Sequence, residues 1–411
     1  MGLQWRDKSK KSENNSAFEF AHTMSRNIAT GIDIGTYQVK IVVAEIESSS
    51  ATKKPKVIGT GYAESRGLRH GYIVNSVEVS RSVRKALEQA EKSSGVKIKT
   101  AYLSVGGIGL QSVMGGATMS IPRADGIVTD ADISKSITLA EQALPVSEKS
   151  NRRIIHTIPI SYSVDGESVY GEPKGMKGKR LEVKVLFVTC LERHLNDLVE
   201  VINDLGVEIL DIVASPIAAS LVTLTKAQKV AGAILANIGS ETVSIVVYEN
   251  NIPISLAVFP VGSTDITHGI ALGLKIPIEE AESVKKGISV SDDYPKKKID
   301  DIITARVADI LDLIEAHLKK IDRNALLPAG IVITGGGSGV ANLDDMARVA
   351  LKLPSRVALF GGKEGVKDSA WSVAYGLCIL GLTNETSETS GIKVVRPTVG
   401  RLKTWFSQFL P

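Results

Sequence analysis

The chain has 411 residues, 43% hydrophobic and 23% charged, with a net charge of +4. At roughly 150 residues per domain that length predicts about two to three domains, and the composition excludes a disordered or collagen-like bulk. The charge is too mild to argue for nucleic acid.

Residues 1–26 are polar and mixed in charge, with no apolar period, and are expected to be a disordered arm. Their opening, MGLQWRDKSKKSENN, lacks the apolar core of a secretory signal. From Ile28 to Ile46 the β-branched Ile41, Val42 and Val43 predict strands. A helix is expected after an Asn75 cap, with Val79, Val83, Leu87 and Ala90 on one face. Residues 101–190 alternate β-rich runs with Gly and Pro turns, interrupted by a helix over 130–144 with Asp130 as its N-cap. Another helix is expected over 192–205, stopped by Gly206. Cys190 and Cys378 lie in apolar runs, which predicts buried thiols rather than a disulfide framework. No window of about 18 uncharged apolar residues predicts a membrane-spanning helix.

The chain also repeats itself. IGTYQVKIVVAE (34–45) matches IGSETVSIVVYE (238–249), with identities at Gly35/Gly239, Val39/Val243 and the Ile41-Val42-Val43/Ile245-Val246-Val247 run. The shared shape is a strand, a Gly turn and a second strand, so a β-hairpin used twice. A third strand, Ile331–Thr334, runs into Gly335-Gly336-Gly337-Ser338-Gly339, with a helix beginning near Leu343. Such a loop lets backbone N–H groups converge on an anion without a Cβ in the way. It is neither a Walker loop nor GxGxxG.

TNETSETSG (383–391) reads as a linker. Beyond it, Val399, Leu402, Trp405, Phe406, Phe409 and Leu410 fall within an arc of about 140° on a helix, with Arg401 outside it and Lys403 at its border. Lys393, Arg396, Arg401 and Lys403 make this end basic. The segment is too short to span a bilayer. An aromatic face with basic flanks suits lying in an anionic interface.

In the first hairpin Asp33, Gly35 and Lys40 stand as D-x-G-x-x-x-x-K. Gly35 opens the turn, Lys40 can neutralise phosphate charge, and Asp33 can hold Mg2+ through water. Two such hairpins and a third glycine loop can clamp one polyphosphate between duplicated halves.

This constellation resembles the actin/sugar kinase/heat-shock chaperone ATPase superfamily. Within it the chain is most similar to the FtsA family of bacterial cell-division proteins. SRGLRHGYIVN (65–75), IIHTIPISYSVDG (154–166), GMKGKRLEVKVLFVT (175–189), VGSTDITHGIALGLKIPIEEAESVKKG (261–287) and the tethered amphipathic end carry the likeness. The resemblance implies an α/β actin-like ATPase fold of two duplicated RNase H-like halves, with a small α+β insert domain and a C-terminal amphipathic helix. After the arm, residues 27–99 and 190–230 would form the first actin-like subdomain and 100–189 the insert. Residues 231–264 and 329–382 would form the second subdomain, with 265–328 above it. A linker over 383–396 would precede a membrane-targeting helix over 397–411. Segments 209–224 and 368–381 would be the two connecting helices.

The resemblance further implies an ATP and Mg2+ site. Its residues would be Asp33, Gly35, Thr36 and Lys40; Gly239, Ser240 and Thr242; Glu282 and Lys285 at the ribose and base; and Gly335, Gly336, Gly337 and Ser338. Asp33 would face the metal. The family picture adds the C-terminal peptide of FtsZ bound by the upper second domain, a head-to-tail polymer, other division proteins on the insert, and anionic inner-membrane lipids under the amphipathic end. ATP over GTP rests on the resemblance alone. One departure stands out: the second loop has Asn237 where the family usually has Asp, and Glu241 where it has Gly. Slow or absent hydrolysis is therefore expected, with Glu241 either repelling a phosphate or turned to solvent. The rivals are a PilM-like pilus scaffold, a sugar or acetate kinase and a chaperone ATPase. His156, His268 and His317 show no metal-ligand spacing.

Overall fold

A computed structural model of the chain describes residues 27–46, 55–288, 294–358 and 368–385. The arm over 1–26 and the amphipathic stretch over 397–411 lie outside the described residues.

The chain opens with β1 (Asn27–Ile34), β2 (Gln38–Ile46) and β3 (Pro55–Glu64), then the short β4 (Leu68–Arg69) and β5 (Tyr72–Ile73), α1 (Ser76–Ser94) and β6 (Thr100–Val105). Next come β7 (Gln111–Ser120), α2 (Asp130–Gln142), α3 (Val146–Lys149), β8 (Arg152–Val164), β9 (Glu167–Val169) and β10 (Arg180–Leu191). The chain returns through α4 (Glu192–Asn203), β11 (Glu208–Ala214), α5 (Ser215–Thr223) and α6 (Lys226–Ala231). Then follow β12 (Ala233–Ile238), β13 (Val243–Glu249), β14 (Ile252–Phe259), α7 (Ser263–Leu274), α8 (Ile278–Lys285) and α9 (Lys296–Lys320). It closes with β15 (Ile331–Thr334), α10 (Leu343–Leu351), β16 (Ser355–Val357) and α11 (Ser372–Glu385).

Two sheets have one topology. Their orders are β3-β2-β1-β6-β11 and β14-β13-β12-β15-β16. In each, the first three strands form an antiparallel meander, and the last two join in parallel. The internal repeat is therefore a structural duplication: each hairpin pairs the central strand of its sheet with the next. Parallel neighbours need a crossover, and α1 supplies it between β3 and β6. For this reason residues 100–105, assigned from sequence to the insert, pair in the first sheet instead. The insert sheet proper runs β7-β10-β8-β9.

Both duplicated sheets are covered on both faces, so their strands are apolar runs rather than alternations. The second sheet shows this by parity. Ile234, Ala236, Ile245 and Val247 face the helices α7–α10, while Leu235, Val246 and Tyr248 join the large core around α5 and α11. Those two helices pack on each other and lie between the sheets. A third, smaller core fills the insert, where Ile133, Ile137 and Ala140 of α2 pack on Val183, Val185 and Phe187 of β10.

Local chemistry explains where expectation and structure part. Asn75 caps α1, its side chain accepting the Glu78 N–H, and Val79, Val83, Leu87 and Ala90 are buried. The cap of α2 is Thr129, not Asp130: its hydroxyl accepts the Asp132 N–H while Asp132 accepts the Thr129 N–H at 2.9 Å. That reciprocal box satisfies two orphan donors, and Asp130 instead meets Lys174 at 2.6 Å. The segment 209–224 is half strand. Its β-branched start pairs with β6, and the helix begins only at Ser215, with Pro216 in its first turn. Cys190 and Cys378 are both free and buried.

Candidate functional site

The two hairpin turns are built alike. In the first, Asp33 opposes Lys40 and Ile34 opposes Val39, and the Gly35 N–H donates to Gln38 O at 3.2 Å. In the second, Asn237 opposes Ser244 and Ile238 opposes Val243, and the Gly239 N–H donates to Thr242 O at 2.8 Å. The third loop follows β15 and crosses beneath the second hairpin. Gly335 has φ 92°, and a Cβ there would lie 2.3 Å from Asn237 Oδ1 and 2.4 Å from Ile238 O. Only glycine permits that approach.

These three turns converge on one cleft of about 600 Å³ between the duplicated halves. Asp33, Gly35, Thr36, Lys40, Gly239, Ser240, Thr242, Glu282, Lys285, Gly335, Gly336 and Gly337 all line it. Ser338 does not. It is buried behind the loop, where its hydroxyl donates to Gly335 O at 2.7 Å and lies 2.7 Å from Ser369 Oγ. Its role is to hold the loop's shape, because a short hydroxyl three residues on reaches back to the turn's own carbonyl.

Lys40 is buried at the floor, with the half-buried Asp33 beside it. Burial pushes the Asp33 carboxyl up, opposed by the Lys40 charge and the Ser104 hydroxyl, which donates to Asp33 Oδ1 at 2.8 Å. Burial likewise pulls the Lys40 ammonium down, opposed by Asp33 and Asp368. An anion entering the cleft restores charge compensation to Lys40.

Glu282 and Lys285 are not a solvated helix pair. Lys285 Nζ lies 2.6 Å from Glu282 Oε2 and donates to Thr267 Oγ1 at 2.8 Å and Ser263 O at 3.1 Å. Burial pushes the Glu282 carboxyl up, but hydrogen bonds from Lys285, Thr267 and Lys286 outweigh it and hold it below its usual range. The pair is thereby fixed on the cleft wall by α7.

The structure adds residues that sequence reading missed. Tyr37, Ser104, His194, Lys286 and Asp368 also line the cleft. Lys286 was within reach of the pattern, following Lys285 directly. Asp368 and His194 carried no local signal, since distant segments bring them in. Glu241 takes neither expected position. It does not line the cleft, and its carboxylate accepts the His70 N–H at 2.5 Å. No group of three or more His, Cys, Asp or Glu side chains placed to hold a metal occurs among the described residues. No helix among them is long and apolar enough to cross a membrane.

The chemistry of this lining suits a nucleoside polyphosphate. Glycine turns present backbone N–H groups, three lysines supply positive charge, and a half-buried acid, Asp33, stands beside them. A cleft of about 600 Å³ is also within the usual range for such ligands.

Known proteins share this architecture and sequence. The family model described as "Cell division protein FtsA" matches residues 234–376, and "SHS2 domain inserted in FTSA" matches residues 108–189. The Bacillus subtilis cell division protein FtsA is 31% identical over 376 residues, covering 86% of this chain and 83% of the relative. The Pseudomonas aeruginosa protein of the same name is 28% identical, covering 94% of this chain and 99% of the relative. Among solved structures, a PilM–PilN type IV pilus biogenesis complex superposes with TM-score 0.64 at 16% identity, covering 86% of this chain and 98% of that one. The ethanolamine utilization protein EutJ of Carboxydothermus hydrogenoformans gives TM-score 0.51 at 16% identity, covering 86% and 89%. At such identities these two show the fold alone, so the pilus likeness is one of architecture. The fold is that of the actin-like ATPases, with an SHS2 insert, and the chain belongs to the FtsA family of actin-like cell division proteins.

Proposed function

We propose that the cleft binds ATP with Mg2+, and that the protein polymerises on the cytoplasmic face of the inner membrane and tethers FtsZ during division. The observation that carries the nucleotide reading is the convergence of two duplicated hairpins and a third glycine loop on one lysine-bearing cleft. Gly35, Thr36, Gly239, Ser240 and Thr242 would cradle the phosphates, with Lys40 against their charge. Gly335, Gly336 and Gly337 would hold the adenosine, with Glu282 and Lys285 at its ribose and base. Mg2+ would supply charge neutralisation between phosphate oxygens, held by Asp33 through water, since Mg2+ with a phosphate ligand needs only one or two carboxylates. Asn237 on the cleft wall offers an amide instead of a second carboxylate.

In this reading residues 265–328, which carry the helices α7, α8 and α9, receive the C-terminal peptide of FtsZ. The insert receives other division proteins. Residues 397–411 lie in the anionic lipid interface. The subdomain boundaries follow the sequence reading, with residues 100–105 moved to the first half.

The test is fluorescence anisotropy of a synthetic peptide from the C-terminus of the same organism's FtsZ, with and without Mg-ATP. Micromolar binding that survives loss of the insert contacts but fails when surface residues of α9 such as Arg306 are changed supports the tether. Normal ATP binding with no peptide binding leaves the nucleotide site standing and overturns the FtsZ assignment.

A further inference from the structure

We propose that the loop Gly67–Gly71 is a clasp across the nucleotide cleft, and that Glu241 is the residue by which this chain fastens it. The proposal rests on the cleft holding a nucleotide, as argued above.

The loop contains β4 and turns at His70 and Gly71 into β5, the two strands pairing as Leu68↔Ile73 and Arg69↔Tyr72. Its turn residues His70 and Gly71 have φ 47° and 83°. That left-handed pair aims successive backbone N–H groups outward, and they go to opposite halves of the molecule. The Gly71 N–H donates to Thr36 Oγ1, at the tip of the first hairpin, at 3.1 Å. The His70 N–H donates to Glu241 Oε2, at the tip of the second hairpin, at 2.5 Å. The imidazole adds a third bond, His70 Nδ1 to Glu241 O at 3.2 Å. A carbonyl only accepts, so Nδ1 carries the proton.

The loop is held to the first hairpin by the Thr36 bond and packs on the segment that leaves β6 for the insert. A Cβ on Gly71 would lie 2.4 Å from Gly107 Cα, and the Ile108 N–H donates to His70 O at 3.3 Å. The second hairpin is backed equally firmly by its own half, with the Ser263 and Thr264 N–H groups donating to Gly239 O and Ser240 O at 2.9 and 2.8 Å. The contacts at Glu241 therefore run from one half to the other, and parting the two hairpin tips must break them. A second crossing lies nearby: Lys286 Nζ of the second half sits 5.9 Å from the Tyr37 ring at the first hairpin's tip. A ligand gripped by both hairpins leaves only when these crossings open. Glu241 places a carboxylate at the hairpin tip and lengthens the ligand's stay through a charge-assisted bond to the His70 N–H.

The experiment uses the full chain, with Glu241→Ala and Glu241→Gln. Dissociation of N-methylanthraniloyl-ATP is followed by stopped flow, and amide hydrogen exchange is followed in nucleotide-free protein. Unchanged melting temperatures establish that the variants fold. Dissociation is expected to quicken about tenfold in Glu241→Ala, which corresponds to ~1.4 kcal/mol, and less in Glu241→Gln. The His70 amide is expected to lose protection in Glu241→Ala while the Gly71 amide, bound to Thr36, keeps it. Equal dissociation rates in wild type and Glu241→Ala overturn the clasp even if exchange changes. If wild type binds no nucleotide analogue, the nucleotide reading fails. Exchange then decides the contact alone, and unchanged protection of the His70 amide overturns it.

Discussion

His156 illustrates how burial at a single residue sets acid stability. It lies on β8 of the insert, and its Nε2 accepts the Ala214 N–H of the first half at 2.9 Å. Burial lowers its pKa from 6.5 to about 3. The folded value is below the unfolded one, so the unfolded state takes up the extra proton as pH falls. The neutral ring's contribution is complete above 6.5 and is lost progressively between 6.5 and about 3. Urea unfolding at pH 7 and pH 4.5 is expected to show a loss of about 2–3 kcal/mol from this group. In His156→Gln, which keeps an acceptor but does not titrate, the slope over this range should flatten; an unflattened slope assigns the acid sensitivity elsewhere. Asn237 carries a second residue-scale prediction. Restoring a carboxylate with Asn237→Asp is expected to raise phosphate release from Mg-ATP by ~10-fold or more while ATP affinity changes little. An equally slow variant would mean that the amide is not what limits turnover.

At the scale of elements, the crossing of α5 and α11 joins the two sheets. Gly376 makes it possible: a Cβ there would lie 1.9 Å from Ala218 O and 2.6 Å from Ala218 C. Backbone cannot swing aside as a side chain can. Gly376→Val is expected to lower stability by about 3 kcal/mol, read as a shift in denaturation midpoint. No shift would show that the helices separate at no cost. Most elements were legible from the chain because their signals are local, such as the apolar face of α1 and its Asn75 cap. The misreadings were competitions that pattern cannot judge, one local and one with a distant strand. Thr129 displaced Asp130 as a cap because Asp132 could answer it reciprocally. β11 displaced the first half of an expected helix because β6 offered it a parallel neighbour.

For the whole molecule, the lipid contact proposed for residues 397–411 makes a prediction separable from the fold. Truncation after Ser390 should leave nucleotide-analogue binding unchanged and abolish sedimentation with vesicles containing anionic lipid. Persistent sedimentation would place the lipid contact elsewhere. The hairpin repeat, the glycine turns and the lysines were written in the chain because backbone conformation and strand pairing with the next segment depend on neighbours in sequence. The tertiary structure decided what required distant segments to meet. It set Ser338 behind its loop against Ser369, brought Asp368 to the cleft, and drew Glu241 away from it to His70. These partners lie 31 and 171 residues apart, so no local period or propensity records them. Only packing of the two halves against each other chooses which polar groups face the cleft and which close it.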